Sequence, residues 1–62
     1  SDDQEMRKIL ALFEVSPEIA ISDVINILHI SRPTAGRRLN ELINKGLIEQ
    51  VGKGKGTRYR KT

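Results

Sequence analysis

Apolar residues along the first two-thirds of the chain fall into three stripes of helical period. Met6, Ile9, Leu10 and Phe13 stand at i, i+3, i+4 and i+7, the spacing that gathers side chains on one face of an α-helix. They predict a first helix over about residues 4–15. Leu12 falls beside the stripe and widens it. Ser16 and Pro17 end the helix, because the residue before a proline is disfavoured in the α region. Residues 18–21 read as a short connector with one extended rung. Ile21, Val24, Ile25 and Leu28 repeat the helical step and predict a second helix over about 23–28. Ser22 is its expected N-cap, with Asp23 in the first turn. Ala35, Leu39, Leu42 and Ile43 form the third stripe, in a helix over about 32–45. Ser31 suits its N-cap, Pro33 its first turn and Gly46 its C′ position.

Beyond Gly46 the period shortens. Residues 47–51 read as a strand, 52–56 as a flexible glycine-rich turn and 57–60 as a returning strand. Tyr59 is the only apolar residue after Val51. The hairpin is therefore expected to project from the body rather than join the core. Residues 28–31 leave only a short link between the second and third helices, the length of a helix-turn-helix, which crosses its helices at roughly 90–120°. The first helix closes the back of that pair. The expected fold is mainly α with a small β-hairpin: a winged helix-turn-helix, with a three-helix core and a wing over 47–60, as one domain across 1–62.

Three segments carry a family resemblance. The run 23–35 includes Leu28, His29, Ile30, Ser31, Arg32 and Pro33, and resembles the helix-turn-helix of bacterial winged-helix regulators. Residues 40–49, from Asn40 and Glu41 through Lys45 and Gly46, are similar to their exit from recognition helix into first wing strand. Residues 52–59 resemble the wing of two kinds of C-terminal module, those of RecG-related or schlafen-type regulators and those of Fic-type proteins. The resemblance covers about 6–60. It implies a DNA-binding module of a bacterial transcription regulator. The chain departs from it twice. Many relatives carry Gly where His29 stands, a turn position expected to need positive φ. Many carry a small residue where Ile25 stands, so Ile25 is expected to open the angle between helices 2 and 3.

Composition narrows the function classes. The chain has 62 residues, no cysteine and one histidine. A disulfide framework, a thiolate zinc site and an all-histidine metal centre are excluded. A domain this small buries only about 60% of its unfolded surface, so aliphatic packing must carry it. There is no apolar run of roughly 20 residues to span a bilayer, and the acidic first residues are unlike a signal peptide. No Gly-Lys-Ser/Thr phosphate cradle and no nucleophile–base spacing is present, so the expectation is a non-enzymatic cytoplasmic protein without a cofactor. The missing initiator Met is read as the mark of a fragment of a longer chain.

The net charge of +3 hides a division. Residues 1–30 hold two basic and six acidic side chains, a balance of −4, whereas residues 31–62 hold nine basic and two acidic ones, a balance of +7. A field of one sign recruits polyanions by counterion release. On the third helix, Arg37, Asn40 and Asn44 fall roughly 140–200° around from Ala35, opposite the core stripe. Arginine can pair bidentately with guanine and asparagine with adenine in the major groove. Arg37 ranks first and Asn40 second, with Thr34 and Pro33 near the backbone or a thymine methyl. Ser31 and Arg32 open the helix; Ser31 is a cap whose neighbouring N–H groups could hold a phosphate. Arg38 divides between a phosphate contact and an ion pair with Glu41 or Glu14. In the wing, Lys53 and Lys55, extended by Thr57, Arg58 and Arg60, form a basic strip, read either as a backbone grip or as a solvated loop. Gly36 either admits a sugar-phosphate strand or is merely tolerated. Tyr59 is read as a packing anchor and His29 as a turn residue.

Double-stranded DNA is the expected partner, and structured RNA shares the same charges. The alternative is a protein-interaction winged helix, docking on the rest of its parent chain or on a second copy. Its motive is the acidic half together with Leu12, Val15 and Ile27, apolar residues off the main stripes.

Overall fold

In the computed structural model the elements run α1 (Asp2–Leu12), β1 (Glu18–Ile19), α2 (Ile21–Leu28), α3 (Arg32–Asn44), β2 (Ile48–Val51), a 3₁₀ turn (Gly54–Gly56) and β3 (Arg58–Lys61). The structure describes residues 2–52 and 54–62, the side chains of Asp2 and Lys55 excepted. The strands form one antiparallel sheet in the order β1-β3-β2. Three helices and this small sheet make the expected winged helix, with the sheet one strand richer than a hairpin.

The first helix stops three residues earlier than its stripe predicts. Phe13, Glu14 and Val15 donate to the carbonyls three residues back, at 3.1–3.2 Å. The last turn thus tightens toward 3₁₀ geometry. Ser16 Oγ then donates to the Glu18 carbonyl at 2.9 Å and turns the chain into β1.

The second helix starts earlier than expected, and Ser22 is not its N-cap. Ala20 caps it in extended conformation, and its N–H donates to Asp23 Oδ2 at 2.8 Å. Asp23 sits at the third helical position, where a carboxylate reaches back to the cap N–H as in a capping box. Extending the helix to Ile21 brings that side chain partly onto the core. At the other end His29 takes φ 58°, ψ 45°, the left-handed cap expected of the turn position, and its N–H bonds the Ile25 carbonyl at 2.9 Å.

The third helix matches its expected ends. Ser31 Oγ accepts from the Thr34 N–H at 3.3 Å. At the C-terminus Gly46 N–H bonds the Ile43 carbonyl at 2.9 Å, and Leu47 N–H bonds the Leu42 carbonyl at 3.0 Å. These two bonds are the Schellman pair, which needs a left-handed C′ residue; Gly46 supplies it at φ 77°. The wing has a similar requirement at Gly52, where φ is 81° and an added Cβ would lie 2.8 Å from the Gly56 carbonyl oxygen.

The core is Ile9, Phe13, Ile19, Val24, Ala35, Leu39, Leu42, Ile48 and Tyr59, with Met6, Leu10, Ile21, Ile25, Leu28 and Ile43 packed around it. The expectation that the hairpin stands clear of the core is corrected here. Ile48 and Tyr59 are buried in it, and Ile19 pairs with Tyr59 across the sheet. Period-two alternation turns these residues inward. The base of the wing closes the open side of the three helices, and only its far end projects.

Candidate nucleic-acid interface

Alternation also sorts the wing into two faces. Gln50 lies opposite Tyr59, on the inward face. Glu18, Arg60 and Glu49 form one row across the outward face. Arg60 Nε donates to Glu49 Oε2 at 2.6 Å. The Glu49 carboxylate, by hydrogen bond and by charge, raises the Arg60 pKa further above its ordinary value, and Glu18 adds to this. Arg58 is exposed on the same outward side, opposite Val51.

Between the inward face of the wing and the first turns of α2 and α3 runs an open groove of about 440 Å³. Ile21 and Ser22 line it from α2, Arg32 from α3, and Gln50, Gly54 and Thr57 from the wing. Thr57 is anchored there: its Oγ1 and N–H both donate to the Gly54 carbonyl, at 2.8 and 3.2 Å. The turn expected to be flexible is thus a hydrogen-bonded 3₁₀ turn. The expectations for the lysine side chains at Lys53 and Lys55 lie outside the described residues.

The outer face of α3 presents Arg37, Asn40 and Asn44 exposed, with Arg32 and Pro33 at its start. Ser31, Thr34 and Arg37 are joined in a chain. Arg37 Nη2 donates to Thr34 Oγ1 at 3.3 Å, and Ser31 Oγ donates to the same oxygen at 3.0 Å. Successive turns of the helix place these residues three apart, which makes them neighbours. The half-buried Thr34 so aligns the arginine along the helix axis.

Arg38 takes the ion-pair alternative considered for it. Its side chain is 12% exposed, with Nε donating to Glu5 Oε1 at 2.7 Å and Nη1 to Glu41 Oε1 at 2.8 Å. Of the partners considered, Glu41 is correct and Glu14 is not. Glu14 instead faces Lys61 at 3.8 Å. The Glu41 carboxylate is thus engaged by Arg38. Gly36 faces α2: a Cβ there would meet only Ile21 Cδ1, at 3.9 Å.

Among the described residues no group of three His, Cys, Asp or Glu is placed to hold a metal ion, and no helix is long and apolar enough to cross a membrane. Gln50 and Ser22 are groove residues that the sequence reading did not single out. The period-two register from Tyr59 would have turned Gln50 inward. No sequence signal separated Ser22 as a groove residue from Ser22 as a cap.

A recognition helix beside a wing, with a groove between, is the arrangement of winged-helix regulators. A family model for the C-terminal domain of DIP2311-like transcriptional regulators matches residues 1–62. The chain belongs to this family. Two solved structures share the fold of this DIP2311-like domain. The DIP2311 protein from Corynebacterium diphtheriae superposes with a TM-score of 0.92 at 22% identity, over 100% of this chain and 11% of that one. The oxidized form of MarR from E. coli superposes with a TM-score of 0.80 at 21% identity, over 92% of this chain and 42% of that one. At these identities the likeness is one of fold. The chain therefore spans about a tenth of the first of these proteins and less than half of the second. No curated protein matches the chain.

Proposed function

We propose that this DIP2311-like domain binds duplex DNA as the reading module of a bacterial transcription regulator. Arg37 and Asn40 of α3 contact base edges in the major groove, with Asn44 further along the same face. Pro33 and Thr34 lie near the backbone or a thymine methyl. Ser31, Arg32 and Thr57 hold the sugar-phosphate strand along the groove, and Lys53, Lys55 and Arg58 extend that grip in the wing. Arg38 belongs to the scaffold in this reading. The observation that carries it is the outer face of α3, where Arg37 and Asn40 stand exposed while the nearby acid, Glu41, is bound to Arg38. Phosphate contacts of this kind position a protein, and base contacts specify its site.

The domain works without catalysis or cofactor, in the cytoplasm. The wing likeness to RecG-related or schlafen-type regulators and to Fic-type proteins rests on residues 52–59.

Amide-shift titration with mixed duplex DNA tests the proposal. Shifts should concentrate in 31–44 and 50–58, and log K should fall with log[salt] at about −0.9 per neutralised phosphate. Flat salt dependence, or no duplex binding at low salt, sinks it. Stronger binding to a structured RNA than to any duplex would transfer the same surface to RNA.

A further inference from the structure

The three apolar residues that stand off the helical stripes come together in space. Leu12, Val15 and Ile27, with Ser16, Ile19 and Asp23, line a hollow of about 200 Å³ between the end of α1 and one edge of α2. Val15 is 84% exposed and Ile27 57%, the two most exposed large apolar side chains among the described residues. Neither is needed by the core, and exposing them costs solvation. Asp23 and Ile27 stand one turn apart on α2, and none of the six residues lines the wing groove or lies on α3. One acid, Asp23, lines the hollow itself.

We infer that this hollow docks a short apolar, basic-flanked segment of the longer regulator polypeptide that carries the domain. Two observations select that occupant. The family is defined as a C-terminal domain, and in the fold relative from C. diphtheriae the matched part is only 11% of the chain, so the remainder is ample. By itself the hollow also offers less contact than a free partner takes. A stable interface takes roughly 20–30 residues and about 800 Å² a side; here six residues line the site, on a chain whose whole surface is 4213 Å². A tethered segment escapes that requirement, because linkage gives it an effective concentration in the millimolar range. One or two bulky aliphatic or aromatic side chains would fill the hollow, and a Lys or Arg beside them would meet Asp23. The domain is thereby held by its back, with α3 and the wing left open.

The test is a photocross-link in the full-length regulator. Val15→p-benzoylphenylalanine is compared with the same substitution at Lys8, which is exposed on α1 one turn before Leu12 and does not itself line the hollow. Isotope-labelled and unlabelled protein are mixed before irradiation. The expected product joins position 15 to a segment outside these 62 residues, within one polypeptide, at several times the Lys8 yield. Adding Ile27→Asp should lower that yield at least fivefold. Mixed-isotope products would assign the hollow to a second copy and overturn the inference. A yield no higher than at Lys8, or one indifferent to Ile27→Asp, overturns it as well.

Discussion

Arg38 and Glu5, 33 positions apart in sequence, meet at 2.7 Å between α3 and α1. The same guanidinium binds Glu41 one turn along its own helix. One arginine thus ties α3 to α1 and also engages the acid one turn along its own helix. Arg38→Ala should destabilise the domain by about 1–2 kcal/mol, below the value for a fully buried pair because Glu5 and Glu41 keep solvent contact. For a domain this size that is a fall in Tm of roughly 4–16 °C. Thermal unfolding followed by circular dichroism measures it, and a change within error would mean the pair is an ordinary surface one.

His29 adopts a backbone conformation that costs a side-chain-bearing residue roughly 1–2 kcal/mol. His29→Gly removes that cost but adds freedom to the unfolded chain. The net expectation is a gain of about 0.5–1 kcal/mol. Urea denaturation should show a higher midpoint with an unchanged slope.

Gly36 lies in the middle of α3 with open space toward α2. Gly36→Ala should stabilise the domain by about 1 kcal/mol. Because Gly36 faces Ile21 rather than the outer surface, duplex affinity should stay the same. A marked loss of affinity without loss of stability would return Gly36 to the role of admitting a sugar-phosphate strand.

The start of α2 separates two caps in one experiment. Asp23→Ala should cost about 1 kcal/mol, through a lost hydrogen bond to Ala20 and a lost charge near the helix N-terminus. Ser22→Ala should leave stability within about 0.5 kcal/mol, as for other surface changes away from special contacts. If Ser22 lines a phosphate groove, its change will instead appear in the DNA titration.

Arg37 and Arg32 should fail in different ways. Arg37→Ala should cost about 1–3 kcal/mol at one base pair and relax preference there. Arg32→Ala should weaken all duplexes about equally and reduce the salt slope by about 1. Binding to a panel of duplexes at several salt concentrations distinguishes a base reader from a backbone clamp.

The sequence by itself determined the three helices, because their stripes repeat at helical period and their ends carry local signals. Ser31 and Gly46 cap α3 as read, and the connector from Leu28 to Ser31 is too short for anything but a crossing turn. It also determined which half of the chain is basic. Local pattern failed where a residue's role depends on a distant partner. Tyr59 sits in the core where β3 pairs with β1, a contact across some 40 positions that no window of the chain contains. The hairpin register of β2 on β3, within reach of period-two alternation, turns Gln50 toward the groove and Arg60 away from it. Arg38 could be placed near Glu41 by helical spacing, but Glu5 reaches it only through the packing of α1 on α3. The three stray apolar residues were legible one by one, and only the tertiary fold gathers them into a single hollow. Local elements follow from periodicity and caps, which act over one or two turns; sites follow from which faces meet, and that is decided by packing.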